Sequence, residues 1–511
     1  MRCAVGLDIG ATSTIGILIG LPDRVLGLAA RPVTLHAPQP GWAEEDPREW
    51  WDNATAILRK VIATSCIAPD TIGAVGVTGM LPAVVLLDRD DVLIRPSIQQ
   101  SDARCGEEVG ELAAEIAPAA FLARTGNGIN QQLVTAKLRW LERHEPAAFA
   151  RIATVMGSYD YINHRLTGER TVEQNWALEA GFTDVNIGMI DDDLVALAHI
   201  PREAVPRRIA SHAVLGHVTP AAARKTGLPA GAPVVGGAAD HIASALAAGV
   251  LGPGDVLLKF GGSVDVLIAT DRPVPDARMY LDYHLIPGLF VPNGCMATGG
   301  SALNWFAVNF AGGEREAAAA AGQTLHQRLD HLAADVPPGA DGVRVLPFFL
   351  GEKTPIHDPT LRGSFCGLSL SHSVAHLWRA LLEAYAYAIR HHVDVLNELG
   401  HRTANFLVSD GGSESRLWMQ IVADVLQSPV RQLHGHPGSC LGAAWTAAIG
   451  AGLASDWRGI SAFVRQRAPI LPDPATAAVY AQGYRAYRRQ ARPGGTDHGP
   501  IREEIADGLS H

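Results

Sequence analysis

Short apolar runs recur along the 511-residue chain, each closed by glycine or a polar residue. This pattern predicts strands at Ala4–Leu7, Ile15–Ile19, Ala74–Val77, Ala83–Leu87, Val234–Val235, Val256–Lys259, Val264–Ile268 and Asn405–Val408. Between them, apolar residues return every three or four positions. Trp50, Ala54, Leu58 and Ile62 form one stripe within Glu49–Ala63. Leu377, Leu381, Ala384, Ile389, Val393 and Leu396 form another within Ser373–Leu399, and Gly400 stops it. Strands mixed with helices predict an α/β fold.

Two segments share one design. CAVGLDIGATSTIGILIGL, from Cys3, and DVLLKFGGSVDVLIAT, from Asp255, each read as an apolar strand, a Gly/Ser/Thr turn and a second apolar strand. Their spacing is about half the chain, whereas the repeats of a solenoid recur every roughly 20–50 residues. Two related domains are therefore expected, as the chain length also suggests. The Gly- and Pro-rich stretch Gly249–Asp255 is the expected boundary.

Composition narrows the possible functions. Hydrophobic residues make up 47% and charged residues 18%, which excludes a mostly disordered chain. Forty-two basic against fifty-two acidic residues give a net charge of −10 with no basic block, so no nucleic-acid or anionic-membrane partner is expected. The longest stretch without Asp, Glu, Lys or Arg, Tyr283–Gly313, is interrupted by Pro287, Pro292, Asn293, Asn304 and Asn309, and is not a membrane span. Asp8 and a polar turn lie where a secretory leader would be apolar, so a soluble, cytoplasmic protein is expected. Cys3, Cys66, Cys105, Cys295, Cys366 and Cys440 are scattered without a CxxC pair and read as small buried hydrophobes.

The glycine turns carry the candidate chemistry. A Rossmann or P-loop turn runs into a helix, but Gly10–Ser13 runs into the β-branched TIGILIGL, and neither GxGxxG nor GxxxxGK[ST] is present at this turn. A dehydrogenase of the Rossmann type is thereby excluded. A phosphate at this turn would meet backbone N–H groups and the Thr12 and Ser13 hydroxyls. Asp8 would repel that phosphate unless a cation intervenes, so Asp8 is either a Mg²⁺ ligand, directly or through water, or simply a turn cap. In APVVGGAADHIASALAAGV a strand ends at Gly236–Gly237 and Asp240 opens an Ala-rich helix, whose dipole favours the ionised carboxylate. Asp240 is a candidate general base, or an ordinary helix-start aspartate. In NFLVSDGGSESRLWMQIVADVL a strand stops at Ser409, Asp410–Gly412 turns, and a helix starts near Ser413. Glycines there admit a flat ring or a phosphate to the backbone.

The order of these pieces resembles the FGGY carbohydrate kinases, most closely their xylulokinase-like branch. It runs GLDIGATST, GWAEEDPREWW, GVTGMLPAVVLLD, RPSIQQSDAR, GGAADHIASALAAG with KFGGS, FLGEKTPIHDPTLRGSFCGL, VSDGGSESRLWMQIVAD and SCLGAAWTAAIGAG, over about Val5 to Gly452. The resemblance implies an actin-like, ribonuclease-H-type fold of two duplicated domains with ATP and sugar in the cleft between them. It implies an N-terminal kinase domain at 1–248, a C-terminal kinase domain at 255–455, and a helical segment with a flexible tail at 456–511. It further implies ATP- and Mg²⁺-dependent phosphorylation of a sugar or polyol hydroxyl, with a homodimer as the expected assembly.

By motif position, Asp240 resembles the catalytic base, with Asp8 and Asp240 near Mg²⁺. Gly10, Ala11, Thr12 and Ser13 resemble the first phosphate turn, Gly261, Gly262 and Ser263 the second, and Gly411, Gly412 and Ser415 the adenosine segment. Met80, Leu81, Asp102, Asp240 and His241 fall in the sugar-binding positions. Several positions depart from the family pattern. Ile15 stands where Lys or Arg is usual, and Gly262 where Thr is usual. Gly79–Met80–Leu81 replaces Gln-Met-His, Gln100–Ser101–Asp102 replaces Trp-Asn-Asp, and His241 replaces an Asn.

Met80, Leu81 and Pro82 offer no polar side chain, so Asp102, Asp240 and His241 are expected to take the sugar hydroxyls. A ketopentose such as D-xylulose is the expected substrate. Ribulose, a tetrulose or a pentitol is the alternative, as is a non-catalytic sugar or nucleotide sensor of the same fold. The histidines His372, His376, His391 and His392 read as solvated or helix-capping groups, and Trp42, Trp50 and Trp51 as packing, with a place near the sugar cleft as the alternative for Trp42.

Overall fold

The structure is a computed structural model that describes residues 2–435 and 437–491. Most of the expected tail Ala491–His511 lies outside the described residues. The chain compacts into two units. Unit 1 takes the chain up to Asp255, together with Leu267–Asn293 and Leu433–Gln466. Unit 2 takes Val256–Val266, Gly294–Gln432 and the chain from Arg467 onward.

Unit 1 is built on a seven-stranded mixed sheet. Strands β1 (Cys3–Ile9), β2 (Ser13–Gly20) and β3 (Arg24–Pro32) form an antiparallel meander. Every residue of β1 is buried, Asp8 included, as in a strand covered on both faces. Helix α1 (Pro47–Thr64) starts where the Asp46 side chain accepts from the Arg48 N–H and Pro47 occupies the first turn. Its buried stripe holds Trp50, Trp51, Ala54, Ile57, Leu58 and Val61, so Trp50 and Trp51 are packing residues. Strand β4 (Ile72–Gly79) runs parallel to β1. Beyond β4 lie β5 (Val214–His217), β6 (Pro233–Val235) and the two-residue β7 (Ala238–Ala239), and β7 leads directly into helix α2 (Asp240–Ala248).

The helix Ser439–Gly450 also belongs to unit 1 and lies on β1 and β4. Glycines set how closely it approaches. A Cβ on Gly6 would stand 1.9 Å from the Cys440 carbonyl, one on Gly76 2.2 Å from the Ala443 carbonyl, and one on Gly442 2.1 Å from the Ala243 carbonyl. Backbone lies on backbone here, and no other residue type fits. The sequence divisions at 255–455 and 456–511 follow chain order, and the folded units do not. Unit 1 takes 433–466 because this small-residue helix seats its backbone against Gly6 of β1 and Gly76 of β4. The Trp457–Phe463 3₁₀ turn falls in unit 1, and the helix Ala477–Gln490 falls in unit 2.

In a second seven-stranded sheet the strands Val264–Ile268, Asp255–Phe260, Asn405–Ser409 and Val430–His434 are neighbours in that order. The strand–turn–strand unit first seen at Cys3 is thus repeated at Asp255, and the last two strands run parallel. The long helix Val374–Glu398 packs against the helices Leu325–Ala334 and Arg416–Leu426. His376 closes a capping box with Ser373 at its N-terminus, and His392 is buried against the Thr354 hydroxyl and the Ala388 carbonyl. All six cysteines are free. Among the described residues, no helix is long and apolar enough to cross a membrane.

Candidate active site

Two aspartates emerge from the carboxyl ends of parallel strands in unit 1. Asp8 on β1 is in register with Thr78 on β4, and on the other side of β4 Ala238 of β7 is in register with the same Thr78. Two strand spacings put the Asp8 and Ala238 backbones about 10 Å apart. Asp240 follows two residues later, in the first turn of α2. The carboxyl edge of a parallel sheet is where open α/β folds place their ligands. Asp8 is 8% exposed, and the Ser439 hydroxyl donates to its Oδ2 at 2.5 Å, which orients the carboxylate. The turn Gly10–Ser13 is closed by Gly10 N–H donating to the Ser13 carbonyl at 3.1 Å and leaves Ala11 and Thr12 exposed.

His241, the next residue after Asp240, has both ring nitrogens on carboxylates. Its Nδ1 lies 3.3 Å from Asp240 Oδ1, and its Nε2 lies 3.0 Å from Asp282 Oδ2. The backbone N–H of His241 also donates to Asp240 Oδ1, at 2.6 Å. Burial alone would push the imidazolium down, but the hydrogen bonds and charges of Asp240 and Asp282 hold it well above the ordinary value. Glu179 completes the cluster, with a carboxylate oxygen within 4.8 Å of both His241 and Asp282. Burial, with Asp282 beside it, raises the Glu179 carboxyl well above the carboxylate range, so it keeps its proton. Glu179 and Asp282 carried no signal in the sequence, because they come from segments 103 residues apart.

The other expected sugar-site residues fall in two places. Met80 and Leu81 follow β4 directly and are 3% and 7% exposed; the Ser158 hydroxyl donates to the Met80 carbonyl at 2.9 Å. Asp102, expected to take a sugar hydroxyl, is buried and accepts hydrogen bonds from within the protein. Its Oδ2 accepts from the Ala43 N–H at 2.6 Å and Arg104 Nη2 at 2.7 Å, and its Oδ1 accepts from the Arg104 N–H at 3.0 Å and Nε at 2.8 Å. Four donors fill the roughly four acceptor positions of a carboxylate. The Arg104 guanidinium in turn lies 3.8 Å over the Trp42 ring and pairs with Glu44. Asp102 is therefore the anchor of the segment that carries Trp42.

Unit 2 contains a cavity of about 870 Å³ that gathers Gly261, Gly262, Gly411, Gly412 and Ser415. That volume lies in the range of small-molecule sites. A Cβ on Gly262 or Gly411 would meet nothing within 4 Å, so packing does not require glycine there. At Gly412 it would stand 2.8 Å from the Trp418 ring and 2.9 Å from Phe260 Cβ, so packing does require it. Asp410, just before this pair, holds φ 68°, ψ 178°, a strained conformation for a residue with a side chain. Ser415 caps the helix Arg416–Leu426 by accepting from the Trp418 N–H, and a 3₁₀ turn over Gly411–Glu414 precedes that helix. Ser263 donates to Asp265 at 3.3 Å.

The sequence reading missed one wall of this cavity. The helix Leu325–Ala334 supplies Asp330, which accepts from Trp378 Nε1 at 2.8 Å, and Thr324 and Gln327 of its capping box also face the cavity. The Thr-x-x-Gln pattern marks a helix start, but nothing local to it marks a binding wall.

Comparison with known proteins shows the family. The N-terminal-domain profile of the FGGY family of carbohydrate kinases matches residues 3–247, and its C-terminal-domain profile matches residues 256–451. The xylulose kinase of Escherichia coli K12 is 28% identical over 488 residues, covering 95% of this chain and 98% of that enzyme. The crystal structure of a xylulose kinase from Rhodospirillum rubrum is 59% identical with a TM-score of 0.90, covering 95% of this chain and 98% of that one. A Plasmodium falciparum glycerol kinase shares the fold, with a TM-score of 0.85 at 18% identity, covering 96% of this chain and 98% of that one. The profiles together span most of the sequence: the chain belongs to the FGGY family of carbohydrate kinases.

Proposed function

We propose that the protein transfers the terminal phosphoryl group of ATP to a hydroxyl of a ketopentose, with D-xylulose as the leading substrate. The observation that carries the reading is the pair Asp8 and Asp240 at the carboxyl edge of the unit 1 sheet, on either side of β4, with Asp240 at a helix N-terminus. The similarity to xylulose kinases, one of them 59% identical, supports the choice of sugar. The N-terminal kinase domain, at 1–248, supplies the acceptor side and the first phosphate turn, Gly10–Ser13. The cavity of unit 2 is the nucleotide side, with Gly261, Gly262 and Ser263 as the second phosphate turn and Gly411, Gly412 and Ser415 along the adenosine.

In this reading Asp240 accepts the proton of the sugar hydroxyl as its oxygen bonds to phosphorus and ADP departs. The positive end of the α2 dipole keeps Asp240 ionised until then. The donor set suits a hard cation: Asp8, oriented by Ser439, and Asp240 are the residues that would hold Mg²⁺. When bound, Mg²⁺ neutralises phosphate charge. Met80 and Leu81 present carbon to the sugar, and Trp42 is set near it by the Asp102–Arg104 anchor. A homodimer in the cytoplasm, where ATP is supplied, completes the reading; light scattering tests the assembly.

A coupled ADP-release assay over ketopentoses, tetruloses, pentitols and glycerol tests the function. The expected result is the highest kcat/KM on D-xylulose, with another ketopentose or pentitol next. A maximum on glycerol overturns the choice of sugar. No sugar-dependent ADP release at all favours the sensor reading.

A further inference from the structure

Asp282 sits on the strand Tyr280–Tyr283, which pairs antiparallel with Phe290–Cys295. Its side chain is fully buried. Asn293, from the paired strand, donates to Asp282 Oδ2 at 2.9 Å, the same oxygen that meets His241 Nε2 at 3.0 Å. The residues on either side of Asp282 are held just as firmly. The Asn127 side chain donates to the Leu281 carbonyl at 2.9 Å and accepts from the Leu281 N–H at 3.0 Å. The Asn175 side chain does the same to Tyr283, at 2.9 Å and 2.7 Å. Each amide completes both backbone hydrogen bonds of its residue, as a neighbouring strand would. Two side chains from distant segments thus clamp the backbone on both sides of one buried carboxylate.

This clamp makes sense through what Asp282 touches. With Asp282 fixed, the His241 ring has one orientation, because its Nε2 is held. Its Nδ1 and its backbone N–H then both bear on Asp240 Oδ1. We propose that Asp282 is a positioning residue for phosphoryl transfer, which holds the His241 ring and through it fixes the Asp240 carboxylate. His241 acts on Asp240 rather than gripping a sugar hydroxyl, since both of its ring nitrogens are engaged. Asn127 and Asn175 set the strand that carries Asp282. The inference rests on the reading of Asp240 as the base. A base displaced by about 1 Å loses on the order of a hundredfold in rate, and a supporting shell exists to prevent that displacement.

Steady-state kinetics on the full chain, with ATP and the best sugar of the panel, test the inference. Asp282→Ala is expected to lower kcat at least about tenfold while leaving the sugar KM nearly unchanged. Asp282→Asn, which keeps an acceptor for Nε2 and the same volume, is expected to restore most of that loss. In a His241→Ala background, Asp282→Ala is expected to cost nothing further. If Asp282→Ala does not fold, His241→Ala carries the test, and it too is expected to lower kcat with the sugar KM unchanged. An unchanged kcat, or a loss confined to the sugar KM, overturns the proposal. A second measurement needs no turnover: in protein with ¹⁵N-labelled histidine, the His241 Nε2 resonance, identified by its absence in His241→Gln, should shift in Asp282→Ala and persist in Asp282→Asn. The same resonance in Asp282→Ala and wild type overturns the proposal. A shift in a protein that phosphorylates no sugar leaves the contact standing and refutes the kinase reading alone.

Discussion

His241 Nε2 stands 3.0 Å from Asp282 Oδ2, and the two residues are 41 positions apart in the chain. The same ring reaches Asp240 on its other side, so one imidazole lies between two carboxylates. Glu179 adds a third carboxyl, and a cluster of this kind is stable only if protons balance its charge. The directions found for His241 and Glu179, both towards the protonated form, supply that balance.

Asp240→Asn keeps the shape of the base and removes its basicity. The turnover number is expected to fall by about a hundredfold or more, with nucleotide affinity by titration calorimetry little changed. Near-wild-type turnover would show that another group takes the proton.

Asp8→Asn weakens a hard oxygen donor without changing its size. The Mg²⁺ concentration for half-maximal rate is expected to rise severalfold. A Mg²⁺ requirement equal to that of the parent would assign Asp8 to the turn alone.

Gly411 and Gly412 separate binding from packing. Gly411→Ala adds a methyl group where nothing lies within 4 Å, so the melting temperature should hold while nucleotide affinity falls. Gly412→Ala drives a Cβ to 2.8 Å from the Trp418 ring and should lower the melting temperature itself. Scanning calorimetry and nucleotide titration on the two variants check the contrast; wild-type nucleotide affinity in Gly411→Ala would remove that glycine from the site.

Gly442→Ala tests the seating of the helix Ser439–Gly450. Helix propensity alone favours Ala by about 1 kcal/mol. The added Cβ would stand 2.1 Å from the Ala243 carbonyl, a backbone atom that cannot turn aside. Overpacking costs roughly 1–3 kcal/mol and decides the sign, so the variant is expected to melt at a lower temperature. A higher melting point would mean that the helix packs more loosely than described.

Glu45 is fully buried, with its Oε2 accepting from Trp50 Nε1 at 2.7 Å. Burial, more than the nearby Glu49 charge, pushes its carboxyl from 4.5 up to about 8. The folded state therefore keeps a proton that the unfolded chain releases above pH 4.5. Stability from this group falls as pH rises from about 4.5 to about 8 and then levels off. Glu45→Gln keeps the acceptor for Trp50 and does not titrate. Its advantage over the parent in unfolding free energy from urea titration should grow across that pH window, to a few kcal/mol at most, and a constant difference between pH 5 and 9 would show that Glu45 ionises normally.

The α/β class, the repeated strand–turn–strand unit, Asp8 and Asp240 were all legible in the sequence. Each depends on order over a few neighbouring residues: apolar runs, glycine turns, an acid at a helix start. The rest depends on contacts between segments far apart in the chain, and no local pattern encodes those. The return of Ser439–Gly450 to the sheet of unit 1 is decided by backbone contacts at Gly6, Gly76 and Gly442. The sequence marks Asp102 as an acid, but only the fold brings Arg104 and the Ala43 N–H onto its four acceptor positions. His241 meets a second carboxylate only because Asp282 arrives on a strand clamped by Asn127 and Asn175. Local periodicity determines which elements form; tertiary packing determines which polar groups remain for a ligand, because a buried donor or acceptor must find its partner wherever the fold supplies one.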